Sequence, residues 1–148
     1  MTIEYILAGI LLGITGVSDI KSKEISVNCL LLFVIPALLC TFYRFAQNET
    51  GVLTTMLMGL IPGILCLCLG RITKEKIGYG DAYLLLVLGM FLGLRETIGM
   101  IMIALFVTAL ISIVLLVLHK IKKTQSVPFV PALGIAFCLQ IVCRYEVK

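Results

Sequence analysis

The sequence predicts an all-α membrane protein, a polytopic bundle of six transmembrane helices. Of the 148 residues, 61% are hydrophobic and only 14% are charged. A water-soluble domain of this length has too little interior to bury so much apolar surface, whereas a lipid bilayer accommodates it. The charged residues also fall mainly in short breaks between long apolar runs. Residues 1–148 are therefore expected to form a single transmembrane domain.

The apolar runs have the length that a bilayer requires. A helix rises about 1.5 Å per residue and the hydrocarbon core is about 30 Å thick, so about 20 residues cross it. Six runs of 16 to 22 residues follow one another along the chain. They are Ile3–Ile20, Val27–Phe45, Val52–Gly70, Ile77–Leu94, Thr97–Leu118 and Pro128–Cys143.

The fourth run is the weakest of the six. From Ala82 to Leu94 it has only 13 residues, and it crosses only if the residues from Ile77 onward are included. Asp81 would then lie about one turn inside the membrane boundary, behind an irregular backbone at Gly78–Gly80. Such a backbone is tolerated at that depth only where it is buried in protein or lines a wet cavity.

The basic residues support six crossings. Eight of the twelve Lys and Arg residues lie in the breaks around residues 21–24, 71–76 and 119–123. With six crossings these breaks share one side, which the positive-inside rule makes cytoplasmic, with both termini outside. Without the fourth crossing they would be divided between the two sides. The net charge of +4 is spread over short loops, so it indicates orientation in a lipid bilayer and no nucleic-acid surface.

The chain contains only two aspartates, Asp19 at the end of the first run and Asp81 near the start of the fourth. The predicted topology places both at the cytoplasmic face. Two neighbouring carboxylates can hydrolyse a peptide, one activating water and the other protonating the leaving amine, without a metal or other cofactor. The simple alternatives are a helix cap for Asp81 and a solvated loop position for Asp19. Helix polarity favours Asp81 as the charged base and Asp19 as the acid.

Four segments carry a resemblance to a known family. Gly78-Tyr79-Gly80-Asp81 is a GxGD motif, and Leu88–Gly93 is a glycine-bearing stretch of the kind that follows it. Asp19–Asn28 combines an aspartate with a short basic stretch, and Pro128–Pro131 has the pattern Pro-Phe-x-Pro. In these features the whole chain resembles the type IV prepilin peptidases, which are polytopic aspartic proteases of bacterial inner membranes.

The resemblance implies a membrane-embedded aspartic endopeptidase whose catalytic residues are Asp19 and Asp81, supported by Gly78 and Gly80 of the motif. Its substrate would be a prepilin-like protein in which a short basic leader precedes a hydrophobic helix, cut at the cytoplasmic face of the bacterial inner membrane. No metal, other cofactor or nucleic-acid partner is implied. The sequence leaves open the oligomeric state and which pilin or pseudopilin is cleaved.

Further residues are candidates for substrate binding. Glu24 and Glu75 lie in cytoplasmic breaks and could attract a basic leader, although a solvated loop charge is the simple alternative. Pro128, Phe129 and Pro131 could shape a substrate groove, and a plain role at the entry of the last helix is equally compatible with their positions.

The chain also departs from the family pattern. Tyr83 stands where lysine is common and Val130 where glycine is common, which leaves substrate preference open. The first apolar run begins at once, so a short form without the N-terminal methyltransferase region is expected. Two other functions stay open: a small transporter or ion-conducting subunit with intramembrane carboxylates, and a catalytically silent scaffold protein.

Overall fold

The computed structural model describes residues 2–22, 27–47, 51–73, 78–118 and 129–146. Within these ranges the chain is all-α, without a strand, as the sequence predicts. The helices are α1 (Thr2–Ser22), α2 (Val27–Ala46), α3 (Val52–Gly59), α4 (Ile61–Ile72), α5 (Tyr79–Val117) and α6 (Val130–Glu146). The third predicted run contains both α3 and α4, whereas α5 covers the fourth and fifth runs together.

The third run divides at Leu60, between α3 and α4. Pro62, in the first turn of α4, causes the division because it has no N–H and its ring clashes with the carbonyl four residues earlier. The N–H of Leu60 bonds to the carbonyl of Leu57 at 3.2 Å, which is the tighter i to i−3 pattern. The prediction of one continuous helix was wrong here. Val52–Ile72 is still long and apolar enough to cross a membrane.

α5 is 39 residues long, which corresponds to about 58 Å and is nearly twice the thickness of a hydrocarbon core. Gly93 interrupts it with φ 77° and ψ 176°. Essentially only glycine adopts this conformation, since a Cβ would be strained there. The interruption lies one residue before Leu94, the predicted end of the fourth run.

Contacts with α6 indicate that the chain turns back at Gly93. Arg144, near the end of α6, pairs with Glu96 at 3.4 Å. One turn earlier in α6, the amide of Gln140 donates to the carbonyl oxygen of Glu96 at 3.1 Å and lies beside Gly99. The residues after Glu96 therefore follow α6 back from its C-terminal end, so that the second part of α5 is antiparallel to α6.

The two faces of α1 have the polarity of a helix in lipid. Glu4, Thr15 and Asp19 are all buried, and they lie on the face that packs against the other helices. The outer face is apolar and exposed, and it consists of Ile3, Ile6, Ile10, Ile14 and Val17. Ionisable residues that face the bundle while apolar residues face outward are typical of membrane helices. Tyr79–Val117 also meets the length and composition of a membrane-crossing segment.

A hydrophobic core joins α1, α2, α5 and α6. Its fully buried side chains include Leu11, Leu30, Leu84, Leu88 and Leu133. This packing fixes the end of α1 next to the beginnings of α5 and α6, which is where the two aspartates lie.

Candidate active site

Asp19 lies in the last turn of α1 and is buried, with 7% of its surface exposed. Its Oδ2 accepts a hydrogen bond of 3.2 Å from the backbone N–H of Val130. Val130 is the first residue of α6, so this N–H has no acceptor within its own helix. Asp19 thus caps a helix that begins 111 residues later. The alternative of a solvated loop aspartate was wrong.

The local sequence explains why the N–H of Val130 reaches Asp19. The side chain of Val130 is fully buried, and its Cγ1 lies 4.0 Å from the place that a Cβ on Gly16 of α1 would occupy. Pro131 follows in the first turn of α6, where the missing N–H costs no helical hydrogen bond. Phe129 packs against the core just before the helix starts. The segment therefore holds the first amide of α6 against the end of α1.

Asp81 is the third residue of α5 and is partly buried. Gly78 occupies the capping position, with φ −62° and ψ 125°, and the helix begins at Tyr79. The irregular backbone predicted for Gly78–Gly80 is therefore confined to Gly78, because helical hydrogen bonding already includes the next two residues. The capping alternative for Asp81 was wrong in detail, although the first turn of a helix still favours a carboxylate. Its Oδ2 lies over Gly78, 3.4 Å from where a Cβ would stand.

The end of α1 and the start of α5 lie close enough for the charges of Asp19 and Asp81 to act on each other. The thiol of Cys66, on α4, is also within electrostatic reach of Asp81. Asp81 on α5 therefore lies within electrostatic reach of Asp19 on α1 and Cys66 on α4, while Asp19 also contacts the start of α6. Sequence reasoning did not place Cys66 there, because a single cysteine in an apolar run has the pattern of an ordinary packing residue.

The helix dipoles do not identify which of the two aspartates is the acid and which is the base. The assignment of Asp81 as base and Asp19 as acid assumed that Asp19 meets only the C-terminal end of its own helix. That premise was wrong, since the N-terminal amide of α6 donates to Asp19. Each carboxylate therefore lies at the N-terminus of a helix, where a negative charge is favoured.

Residues 6–117 match the model of the type IV leader peptidase family. The chain belongs to the type IV leader peptidase family. Both aspartates lie within the matched region, which ends before Val130 and its neighbours in α6. No curated protein and no solved structure matches the chain significantly. The protein is thus a leader-peptidase-type protease, and its apolar helices together with its family indicate a membrane protein. Membership in this family favours a peptidase over the alternative of a small transporter or ion-conducting subunit.

The other predicted site residues of the leader peptidase are distributed as follows. Gly78 is exposed and Gly80 is partly buried, both beside Asp81. Phe129 and Pro131 flank Val130 and are partly buried near Asp19. The remaining candidates, Glu24, Glu75 and Pro128, lie outside the described residues. In the part of the chain that the structure describes, there is no group of three or more His, Cys, Asp or Glu side chains that could hold a metal ion.

A second polar cluster lies at the opposite end of the leader peptidase. Glu4 pairs with Arg44 at 3.2 Å, joining α1 to α2. Arg144 pairs with Glu96 and also donates to the hydroxyl of Tyr5, joining α1, α5 and α6. These five residues contribute to the lining of an open cavity of about 210 Å³. The sequence contains one signal for this second cluster. Glu4 precedes Asp19 by 15 residues, about four helical turns, so it lies on the same face of α1 near the opposite end of the helix.

Proposed function

We propose that this leader peptidase is an aspartic endopeptidase whose paired carboxylates, Asp19 and Asp81, remove short leaders from type IV prepilin-like proteins. The proposal rests on one observation: the two carboxylates, one buried and one partly buried, lie within electrostatic reach of each other at the end of α1 and the start of α5. The chain has no other aspartate. Buried carboxylates in an apolar bundle are costly unless they have a function or a partner.

The chemistry follows from the pairing. One carboxylate accepts a proton from water, and the resulting hydroxide attacks the scissile carbonyl carbon to give a tetrahedral intermediate. The other carboxyl group, protonated at the start, gives its proton to the leaving amide nitrogen as the C–N bond breaks. The products are a carboxylic acid and an amine, and a proton transfer between the two side chains restores the starting state. The residues alone supply the acid and the base.

We place the site at the cytoplasmic face of a bacterial inner membrane, with six crossings and both termini outside. Two helix ends with basic residues support this side. Arg71 occupies the last turn of α4, the helix that brings Cys66 toward Asp81. Lys21 lies in the last turn of α1, two residues after Asp19. The positive-inside rule assigns such an end to the cytoplasm.

The substrate is a protein with a short basic leader and a following hydrophobic helix. The apolar exterior of the bundle suits the hydrophobic helix, while the leader remains in water near the active site. Glu24 and Glu75 are the proposed attractors of the leader, and Phe129 and Pro131 form one wall of the groove beside Asp19. The pilin or pseudopilin class is set by contacts of this kind.

Leader removal from candidate prepilins tests the function directly. Wild-type protein in detergent or nanodiscs should shorten the substrate, and Asp19→Asn and Asp81→Asn should each reduce turnover by at least about 10³-fold, because neither amide can take or give the proton. Glu96→Gln is the matched control, since it neutralises an acidic side chain at the far end of the bundle. Turnover that survives both aspartate substitutions would refute the site.

A further inference from the structure

We propose that the N-terminus of α6 is a positioning element of the active site, in which the backbone N–H of Val130 holds the carboxylate of Asp19 in place. The inference rests on the proposed function of Asp19 and Asp81, and it adds a group that the family match does not include. Val130 acts through its backbone and does not touch the substrate, so it is a positioning residue.

The contact fixes one oxygen of the carboxylate. Oδ2 of Asp19 accepts the N–H of Val130 at 3.2 Å, and both residues are buried. Water is therefore poorly placed to replace either partner. A buried N–H without an acceptor is costly, so the amide keeps its hold on this oxygen.

The donor belongs to a regular helix. α6 is 17 residues long, and the N–H of its first residue has no acceptor within the helix, so Asp19 supplies the acceptor that this N–H requires.

The side chain of Val130 keeps this amide in place. It is fully buried against α1 near Gly16, so the start of α6 cannot easily slide along α1. A sliding movement of one residue would carry the amide away from Oδ2 and leave both groups unpaired. Packing at Val130 thus sets the geometry that the hydrogen bond uses.

Val130→Pro removes the donor while it preserves the helix. Proline is favoured at the first helical position, and the chain already carries Pro131 in the same turn. We expect kcat for leader removal to fall about 10- to 100-fold with KM changed less than about twofold, since the positioning of Asp19 is altered. Val130→Ala loses the same buried side chain but keeps the N–H, so its kcat should fall clearly less than that of Val130→Pro. Equal kcat values for the proline variant and the wild type would overturn the proposal.

Hydrogen exchange at the amide of Val130 tests the contact without any cleavage. Exchange should be slow in the wild type, in Asp81→Ala and in Asp19→Asn, whose side-chain oxygen can still accept, and at least about tenfold faster in Asp19→Ala. Unchanged exchange in Asp19→Ala would overturn the inference even if Val130→Pro fails to fold. If the wild type cleaves no prepilin, the proposed function fails, whereas the exchange result still decides whether α6 holds Asp19.

Discussion

At the scale of single residues, both aspartates lie at the N-terminus of a helix, and the sequence alone does not show this for Asp19. Asp81 lies in the first turn of its own helix, and Asp19 lies at the first amide of a helix 111 residues away. The burial of Asp19 was not predicted, although Glu4, Thr15 and Asp19 are spaced so that they share one helical face. The partner of Asp19 could not be predicted, because a backbone N–H belongs to every residue except proline and carries no sequence signature.

Gly78 belongs to the GxGD motif, but its backbone conformation does not require glycine. Its φ of −62° and ψ of 125° are open to any residue, and a Cβ would meet Oδ2 of Asp81 at 3.4 Å, an ordinary contact distance. We predict that Gly78→Ala folds with a free energy of unfolding within about 1 kcal/mol of the wild type, because reduced chain entropy offsets the poorer cap. Leader removal should fall less than about tenfold. Gly78→Val, with a branched side chain over the carboxylate, should lose more activity. An unfolded Gly78→Ala variant would contradict this account.

At the scale of the helices, sequence patterns located the segments but not all of their interruptions. The apolar runs agree with the observed helices to within a few residues at most of the ends that the structure describes. Pro62 indicated a division near Leu60. The length of the apolar run nevertheless suggested a single crossing helix. A boundary between Leu94 and Thr97 was predicted from the six runs, whereas the observed interruption lies at Gly93, beside Thr55, and its conformation could not be predicted from the sequence.

The backbones of α3 and α5 approach each other at Gly59 and Gly89. A Cβ on either residue would overlap the carbonyl oxygen of the other, so backbone meets backbone and no side chain can move aside. We predict that Gly59→Ala and Gly89→Ala each lower the free energy of unfolding by about 3 kcal/mol or more. The midpoint of thermal unfolding in detergent measures the effect.

Gly13→Ala is the matched control for this contact. Gly13 lies within α1, and no group of the residues that the structure describes stands within 4 Å of the place that a Cβ would occupy, so alanine should stabilise the helix by about 0.5–1 kcal/mol. If all three alanine variants unfold at the same temperature, the close approach of α3 and α5 is not present in the membrane protein. If Gly13→Ala alone is destabilised, the face of α1 has been assigned incorrectly.

At the scale of the whole molecule, the polar residues are concentrated at two ends of an apolar bundle. One end contains Asp19 and Asp81, and the other contains the ion pairs Glu4–Arg44 and Glu96–Arg144. α6 connects the two ends, since it begins at the hydrogen bond to Asp19 and finishes at Arg144. In a membrane protein the distance between these two polar ends corresponds to the thickness of the bilayer. This thickness limits the length that α5 can span in one crossing.

A straight helix of 39 residues would be about 58 Å long and could not fit a core of about 30 Å without an extreme tilt. Reversal at Gly93 gives two crossings instead, with Glu96 at the same end as Arg144 and Asp81 at the other. We therefore predict that both termini lie on the same, outer side. Short epitope tags inserted after Gln47, Thr73 and Lys120 in the full chain, or added at the C-terminus, should be reached by antibodies from outside, inside, inside and outside the cell, respectively. If α5 crossed only once, the tags at Lys120 and at the C-terminus would exchange sides while the first two stayed unchanged. Those two positions decide whether Gly93 reverses the chain, whereas the tags after Gln47 and Thr73 report the side on which Asp19 and Asp81 lie.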